Sequence, residues 1–459
     1  MESNLLVNTL IGNARKALAG VADYTQAQAD EMVRAICLAF KAHGEELARE
    51  TVEETRLGRV EDKIGKNMGV ADGLMWSLKG KKSVGVIGED KEKGLVYVAH
   101  PKGIVVVVAP TTNPNITALC NSVFALKGRN SVIICAHPRA KKTTIHTVEI
   151  MNEALKKLGA PENLIQVVRE PSIPLTQELM KAADVIVATG GMAMVKSAYS
   201  SGVPAFGVGA GNVQTIIDRD CDLKEAAEQI VVGRSTDNGL ICAGNQSVIM
   251  PAEHESAMVG HLREAGAYYS DNPYVVRKFT ELLFPVREDG SRPINPQVVG
   301  QSAEFIAGLA GIEVPGGTKV IALRGEKAGP EEILCAEKMC PVLVTLTYRT
   351  FEEAVRMARE NLLFQGAGHS AVIHSGNREH IEYAAQRLPV SRFLVNQPGI
   401  GAANPFLNNG LNPTTSLGCG SWGNNSISEN LTYEHLINIS RISYSLDKSA
   451  VPGERDIWG

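Results

Sequence analysis

Residues 103–110 read GIVVVVAP and residues 131–143 read SVIICAHPRAKKT, two short apolar runs that each end in a turn. An amphipathic stretch near residues 116–126 separates them, and another follows at residues 140–158. Runs of Val and Ile that alternate with amphipathic stretches are typical of parallel strands buried on both faces. The same rhythm continues through residues 164–168, 173–182 and 184–188. The pattern predicts a doubly wound α/β fold.

The regions on either side extend this picture. The first ninety residues have helical apolar spacing, as at Met32, Ile36 and Phe40, and predict a helical layer. A second α/β unit is predicted from about Gly239, with strand-like runs that include residues 319–323, 342–346 and 371–374. Residues 404–425 are rich in Gly, Asn, Pro and Ser, which is typical of a long functional loop. A helical pattern returns only from Leu431 onward.

The composition restricts the partners. The 459 residues include 46 basic and 50 acidic side chains without long blocks of one sign, so no nucleic acid or anionic membrane is expected as a partner. The eight cysteines show no repeated CxxC pattern and the chain does not begin like a secretory signal, so we expect a reduced, cytoplasmic protein. The ten histidines lack zinc-site spacing, and no metal is expected. Small molecules are the expected partners.

One cysteine lies in a sequence that suits a reactive thiol. Cys242 belongs to DNGLICAGNQS, residues 237–247, where small residues surround it. A nucleophilic sulfur needs room for a carbonyl carbon and nearby backbone amides to hold the oxyanion that forms. The alternative is a buried structural cysteine, because cysteine is among the most buried residue types. The sequence predicts Cys242 as a candidate nucleophile.

Two turns after strands carry polar groups that suit a ligand. Asn113 lies in PTTNPN, residues 110–115, where its amide could donate to an oxyanion or could form an Asx turn. His137, Pro138 and Arg139 begin a basic junction between a strand and a helix. That junction suits a phosphate-bearing ribose, or it is only a solvated helix start.

Glycine-rich turns supply further candidates. Thr189, Gly190 and Gly191 follow a strand, and Gly211 lies in VGAGN, residues 208–212. Such turns let backbone amides approach a pyrophosphate, although neither matches GxGxxG. The absence of GxxxxGK[ST], GxSxG and HExxH patterns argues against a nucleoside triphosphatase, a serine hydrolase and a zinc protease.

Taken in order, these motifs resemble the aldehyde dehydrogenase superfamily, specifically its CoA-acylating branch, over essentially the whole chain. The resemblance is carried by residues 237–247, by ENLLFQGAGHSA at residues 360–371, and by NPTTSLGCGSWGNNSISENLTYEHLIN at residues 412–438. The aldehyde domain of bifunctional aldehyde-alcohol dehydrogenases shares these signatures. The chain looks most like CoA-dependent succinate semialdehyde dehydrogenases, which share the approach to the thiol at Gly233, Arg234 and residues 237–239.

The resemblance implies a fold with three parts. It implies a Rossmann-type cofactor-binding domain in residues 1–236, an α/β catalytic thiol domain in residues 237–430, and a C-terminal segment in residues 431–459. That last segment would carry a small oligomerisation element, with residues 439–446 as its strand. A homodimer or a larger homo-oligomer is therefore expected.

The resemblance also implies roles for single residues. Cys242 matches the nucleophile that attacks the aldehyde, and Asn113 matches the oxyanion asparagine that acts with the Cys242 amide. Glu337 matches the glutamate that holds the nicotinamide ribose, while Thr189 and Gly190 match the turn near the cofactor phosphates. NADP or NAD is the implied cofactor, and coenzyme A is the implied acyl acceptor.

Departures from the hydrolytic relatives are informative. Val208 lies where those enzymes carry the glutamate base that activates water, so we expect a thiol rather than water to resolve the thioester. His137 replaces a lysine, and Ala140 replaces a glutamate that would repel a 2′-phosphate, so NADP is expected to be accepted. His369 is expected to orient or deprotonate the CoA thiol, or else to satisfy a buried loop.

The substrate is the least determined part. Asn245 replaces the glutamate that relatives carry near the nucleophile, and Arg234 lies upstream. Together they predict a substrate-binding pair for an aldehyde with a distal anion, such as succinate semialdehyde or sulfoacetaldehyde, unless both are packing residues. The alternatives are a CoA-acylating enzyme for acetaldehyde or propionaldehyde, a hydrolytic aldehyde dehydrogenase, and a non-catalytic protein that keeps the fold.

Overall fold

The computed structural model describes residues 2–447 and 451–459. The chain begins with four helices, as the apolar spacing predicts. They are α1 (Glu2–Gly20), α2 (Gln26–Ala42), α3 (Gly44–Thr55) and α4 (Val60–Leu78). The hydroxyl of Thr25 caps α2 in a capping box with Gln28, which satisfies backbone donors at that helix end. The buried face of α2 includes Met32, Ile36 and Phe40.

A parallel sheet of five strands follows, in the order β5-β4-β3-β6-β7. Its strands are β3 (Ile104–Val108), β4 (Ser131–Cys135), β5 (Ile165–Val167), β6 (Val185–Thr189) and β7 (Ala205–Val208). The helices between them are α5 (Pro114–Lys127), α6 (Lys141–Lys157), α7 (Ile173–Ala182) and α8 (Met192–Tyr199). All five residues of β3 are buried, because the core that includes α2, α5 and α6 packs on one face and the core that includes α1 and α7 packs on the other. The predicted doubly wound arrangement is confirmed, and its strand order reverses between β3 and β6.

The second parallel sheet has seven strands in the order β10-β11-β12-β9-β8-β13-β14. Its strands are β8 (Val213–Ile217), β9 (Asn245–Pro251), β10 (Ala267–Ser270), β11 (Val320–Arg324), β12 (Val342–Tyr348), β13 (Gly368–His374) and β14 (Val390–Val395). Its helices are α9 (Leu223–Ser235), α10 (Glu255–Glu264), α11 (Pro273–Leu283), α12 (Ala303–Ala310), α13 (Phe351–Phe364) and α14 (Arg378–Arg387). The loop that carries Cys242 leads directly into the central strand β9. The thiol is therefore held at one end of a buried sheet.

A third sheet joins the two ends of the sequence. It consists of β1 (Gly85–Asp90), β2 (Leu95–Pro101) and β15 (Ile437–Ser443), paired antiparallel in the order β1-β2-β15. The helical pattern expected from Leu431 is wrong, because only a single 3-10 turn at Tyr433–Leu436 precedes β15. A short helix, α15 (Glu454–Trp458), lies near the C-terminus. The predicted strand at residues 439–446 is confirmed in part by β15.

The change from one large sheet to the other falls between Val208 and Val213. The expected boundary after residue 236 therefore grouped β8 and α9 with the wrong sheet, because a buried apolar strand does not reveal which neighbours it pairs with. Residues 85–101 also leave the five-stranded sheet and pair with the C-terminal strand. Within the described ranges, no helix combines the length and apolar character needed to cross a membrane.

Candidate active site

A cleft of about 1140 Å³ opens where the loops of the two large sheets face each other. The carboxyl ends of β3, β4 and β6 contribute residues to its wall, which is the position where doubly wound sheets bind ligands. The opposite wall includes Cys242 and Glu337. Most of the predicted residues line this cleft, namely Asn113, His137, Pro138, Arg139, Thr189, Gly190, Gly191, Gly211, Cys242 and Glu337. The fold therefore brings together positions that lie far apart in the sequence.

Cys242 is partly exposed in this cleft, and its loop passes unusually close to a second one. A Cβ atom on Gly211 would overlap the carbonyl oxygen of Cys242, so only glycine fits at position 211. In the part of the chain that the structure describes, the Cys242 amide donates to no backbone acceptor. Burial, followed by the Glu337 carboxylate, raises the pKa of Cys242 to about 12, whereas Arg392 acts in the opposite direction. Burial therefore disfavours the thiolate form in the free protein.

Glu337 lies on the same wall of the cleft as the thiol, and both contact Gly211. Its Oε1 accepts a hydrogen bond from the Gly211 amide at 3.1 Å, and burial raises its pKa to about 7. The charges of Arg234 and Lys338 hold the pKa down from a still higher value. The carboxyl group can therefore accept hydrogen bonds from a ligand hydroxyl and changes charge near neutral pH.

Asn113 is oriented by a buried ionic cluster that the sequence did not predict. Lys66, on α4, donates from Nζ to Asn113 Oδ1 at 2.6 Å and also pairs with Asp237. Lys63, one turn earlier, pairs with the same carboxylate at 3.0 Å. Because a lysine can only donate, the Asn113 oxygen must face Lys66. The NH₂ group makes one weak contact, to Thr112 Oγ1 at 3.5 Å, and its second hydrogen can serve an oxyanion. Burial and the neighbouring Lys66 lower the pKa of Lys63 to about 8.

The basic junction at residues 137–139 forms a 3-10 turn at the edge of the cleft. His137 Nδ1 accepts from the Arg139 amide at 3.1 Å, and the side chain of Arg139 is exposed. Lys141, which follows this junction, is less available to a ligand because it forms an ion pair with Glu170 at 2.7 Å. Glu54 accepts from the amides of Lys142 and Thr143 and so caps α6. Arg139 is the cation of this junction that lines the cleft.

Arg234 and Asn245 do not line the cleft, and the substrate-binding role predicted for them is corrected. Arg234 is fully buried, and its guanidinium donates to the carbonyl oxygens of Gly239, Lys338, Cys340 and Asn245. Asn245 is also fully buried, and it bonds to Thr215 Oγ1 at 2.8 Å and to the Gly399 amide at 2.9 Å. Both side chains brace the loop beneath Cys242. Neither presents a free donor to a substrate.

His369 lies behind the cleft rather than on its surface. It is fully buried; its Nδ1 is 3.1 Å from Ser370 Oγ, and its Nε2 has no partner among the described residues. Burial and the charge of Arg392 lower its pKa to about 3. The imidazole is a weak base, which argues against deprotonation of the CoA thiol, and its position behind the cleft leaves orientation and support of a buried loop as the alternatives.

A separate surface group could bind a metal ion. Glu46, Glu50 and His146 can bring one ligand atom each within 4.8 Å of the others. His146 already contacts Glu50 at 2.8 Å, and the three residues are far from fully buried. This group lies outside the cleft lining.

The comparisons with known proteins agree with this geometry. The aldehyde dehydrogenase family model matches residues 3–269. A succinate-semialdehyde dehydrogenase (acetylating) from Clostridium kluyveri is 51% identical over the full length of both chains. A sulfoacetaldehyde dehydrogenase from Acholeplasma sp. is 40% identical, with 99% of this chain and 94% of the relative covered. The chain belongs to the aldehyde dehydrogenase family.

Solved structures place it among the acylating members. An acetylating aldehyde dehydrogenase from Geobacillus thermoglucosidasius superposes with a TM-score of 0.92 at 35% identity, covering 99% of each chain. A propionaldehyde dehydrogenase from Rhodopseudomonas palustris, solved with bound CoA and an acylated cysteine, superposes with a TM-score of 0.85 at 26% identity, covering 95% of this chain and 97% of the other. The protein is an oxidoreductase of the acylating aldehyde dehydrogenase type.

Proposed function

We propose that the protein oxidises a short aldehyde that carries a distal anion and transfers the acyl group to coenzyme A. The Cys242 sulfur adds to the aldehyde carbon, and Asn113 Nδ2 with the Cys242 amide stabilises the resulting oxyanion. A bound oxidised nicotinamide nucleotide would accept the hydride from the aldehyde carbon, which leaves a thioester on Cys242. The thiol of CoA then displaces the cysteine, so that an acyl-CoA is released and the free enzyme returns.

One observation carries the choice of CoA over water. Val208, which lines the cleft, is only 5% exposed and provides no base. The carboxylates on the described cleft wall are Glu61, Asp62 and Glu337. Asp62 is bonded to the Asp237 amide at 2.7 Å, and Glu337 is bonded to Gly211. Water needs a base to attack a thioester and a thiolate does not, so Val208 at the position of the hydrolytic base supports thiolysis. Glu337 is assigned to the nucleotide ribose rather than to water.

A nicotinamide nucleotide fits the wall formed by the ends of the five-stranded sheet, where it would accept the hydride. Helix α8 begins after Gly191 without a side-chain cap, so its first amides are open toward a pyrophosphate. A Cβ atom on Gly190 or Gly191 would meet nothing within 4 Å, which leaves room for a ligand. Glu337 is placed to accept from a ribose hydroxyl. Ala140 stands where a carboxylate would repel a 2′-phosphate, and the nearby Arg139 has a positive charge that would attract one. We therefore propose that NADP is used as well as NAD.

The first prediction concerns the acyl acceptor. With aldehyde and oxidised nucleotide but no CoA, we expect a burst of about one reduced nucleotide per active site and then near arrest, because the thioester resists water. Addition of CoA is expected to restore steady turnover with acyl-CoA as the product. Stopped-flow absorbance and product chromatography measure both phases. Continuous release of free acid without CoA would instead identify a hydrolytic enzyme.

The position of Lys66 supports the proposal that the substrate carries a distal anion. It lines the cleft beside Asn113, and with Lys63 it places two ammonium groups around the single carboxylate of Asp237. Asp62 also acts on Lys63, and Lys66 is the cation of this group that lines the cleft next to the oxyanion donor. A carboxylate or sulfonate a few bonds from the aldehyde would be attracted to this position, whereas a neutral aldehyde would gain nothing from it. We therefore assign to Lys66 the role that Arg234 cannot fill.

The second prediction tests this assignment with Lys66→Gln. We expect the ratio of kcat/KM for succinate semialdehyde to kcat/KM for butyraldehyde to fall by about 10-fold to 100-fold, since removal of the ammonium group weakens binding of the distal anion by about 1–3 kcal/mol. Both substrates are also expected to slow in kcat, because Lys66 orients Asn113. Lys82→Gln, at an exposed lysine, is the matched control. An unchanged ratio would remove Lys66 from substrate recognition.

The C-terminal strand supports a proposed homo-oligomer. β15 lies at the edge of the three-stranded sheet, and all of its residues after Ile437 are exposed. Ile439 and Ile442 are among them, with exposed fractions of 37% and 44%. An open strand edge with apolar side chains is suited to pairing with another chain. Because Cys242 must stay reduced to act, we propose a reducing compartment such as the cytoplasm as its location.

A further inference from the structure

The loop that carries the candidate nucleophile begins with an unusual backbone. This thiol loop, residues 236–244, connects α9 to β9. Asp237 and Asn238 both have φ of 52°, and Gly239 follows with φ of 70°. Left-handed backbone costs free energy at residues other than glycine, and it persists where the surrounding contacts hold it. Whatever holds this turn also helps to place Cys242, three residues after Gly239.

The side chain of Asp237 anchors the turn to the helical layer. It is fully buried, and its Oδ1 accepts from the Arg59 amide at 3.0 Å. Its Oδ2 accepts from Lys63 Nζ at 3.0 Å and from Lys66 Nζ. A Cβ atom on Gly58 would overlap Asp237 Oδ1, so the chain that leads into α4 passes directly over the carboxylate. The turn is therefore fixed to α4 by charge and by close packing.

The same two lysines also reach the turn that follows β3. Lys66 Nζ donates to Asn113 Oδ1 at 2.6 Å, and Lys63 Nζ donates to the Thr112 carbonyl at 3.3 Å. The residues at 112 and 113 extend from the five-stranded sheet, whereas Asp237 leads into the seven-stranded sheet. Each lysine is thus a bridge between the two sheets, and both bridges end on the single carboxylate of Asp237.

These bridges connect the two groups that would hold the oxyanion. Asn113 Nδ2 comes from one sheet and the Cys242 amide from the other, so their separation depends on how the sheets are joined. Both donors must lie about 2.7–3.1 Å from one oxygen to stabilise it. Charge-assisted hydrogen bonds are shorter and stronger than neutral ones, and a buried ion pair is costly to break because it leaves a charge without a partner. The Asp237 bridges therefore resist a change in that separation.

We propose that Asp237 is a positioning residue that fixes the separation of the two oxyanion donors, Asn113 Nδ2 and the Cys242 amide. The proposal rests on the proposed function, because it assumes that an oxyanion forms when Cys242 attacks an aldehyde. Asp237 lies outside the cleft wall and does not touch the substrate. It acts through Lys66 on one donor and through the backbone of its own loop on the other.

The third prediction is a loss of coupling in a double-mutant cycle of Asp237→Asn with Asn113→Ala. Asparagine has the shape of aspartate and tolerates left-handed backbone, so the variant removes mainly the charge. The readout is the rate of the burst of reduced nucleotide without CoA. We expect Asp237→Asn to slow the burst about tenfold when Asn113 is present, with half-saturation by aldehyde changed less than about twofold. In the Asn113→Ala background we expect less than about twofold further loss, because one donor alone has no separation to fix.

A matched control lies on the same helix. Asp72, on α4, forms an exposed ion pair with Lys41 at 2.6 Å. We expect Asp72→Asn to leave the burst rate within about twofold in both backgrounds, since surface ion pairs contribute little. The hydride step precedes acyl transfer, so the cycle can be measured whichever acceptor resolves the thioester. The final product, acyl-CoA or free acid, tests the proposed function separately.

The results of the cycle decide the proposal. A tenfold loss that disappears in the Asn113→Ala background supports it. Equal losses in the two backgrounds would overturn it, because Asp237 would then support the thiol loop without reference to Asn113. A burst rate unchanged by Asp237→Asn would overturn it as well. If that variant fails to fold, Asp237→Asn combined with Lys63→Met removes one buried charge of each sign and takes its place in the cycle, and the same results apply.

Discussion

Replacing Cys242 with alanine is expected to reduce CoA-dependent aldehyde oxidation by at least about 10⁴-fold, because the other cysteine on the described cleft wall, Cys135, is only 1% exposed at the end of β4. The fold should tolerate the change, since the side chain is partly exposed and packs only at the edge of an apolar cluster. The measurement has two parts: steady-state formation of reduced nucleotide, and the mass of the protein after reaction with aldehyde and nucleotide in the absence of CoA.

The mass measurement identifies the sulfur that carries the acyl group. The native chain is expected to gain one acyl group on the peptide that contains Cys242, and the alanine variant is expected to gain none. Cys221→Ala is the control, because that thiol lies at the surface of the other end of the seven-stranded sheet and should not affect the rate. An adduct on Cys419 in the native chain would transfer the nucleophile role to the buried thiol.

The variant Asn113→Ala is expected to lower kcat by about 10²-fold to 10³-fold with little change in KM. The amide Nδ2 donates to an oxyanion that exists only after the sulfur has attacked, so its loss affects the transition state more than substrate binding. The effect corresponds to about 3–4 kcal/mol of transition-state stabilisation. Steady-state kinetics with a saturating nucleotide and saturating CoA measure the change.

Iodoacetamide separates this effect from damage to the fold. Alkylation of Cys242 forms no oxyanion, so its rate in Asn113→Ala should stay within about twofold of the native value. A parallel tenfold loss in alkylation would indicate that Asn113 supports the loop instead. The same kinetic comparison in Lys66→Gln should show a smaller decrease in kcat, since Asn113 keeps its donor and is deprived only of the hydrogen bond that fixes its orientation.

Much of the site follows from local pattern. Asn113 and the turn at residues 189–191 occur where parallel strands end, and carboxyl ends of such strands meet at one edge of a sheet. Cys242 stands out because of the small residues around it. The structure brings these positions to one cleft. Periodicity and turn chemistry are local properties, so a single sequence can reveal them.

The roles of the charged side chains at the site could not be predicted from local pattern. Arg234 looked like a substrate cation because it precedes the thiol loop, yet its guanidinium is surrounded by backbone carbonyls. Lys66 belongs to no motif and lies 47 residues from Asn113, which it contacts. Asp237 lies close to the thiol in the sequence, yet its partners Lys63 and Lys66 lie 174 and 171 residues away. Contacts between distant positions depend on packing, which no local pattern encodes.

The sequence by itself determined the parallel α/β architecture and the candidate thiol, because each depends on residue type and on neighbours along the chain, and the resemblance to a known family implied the missing base at Val208. The tertiary structure alone decided which cations lie at the site and which sheet β8 and the C-terminal strand join. The two groups of properties differ because the second depends on which side chains are buried and on what surrounds them. A side chain has the same chemistry wherever it lies, but whether its charge meets a ligand, a carbonyl or a thiol depends on what packs around it.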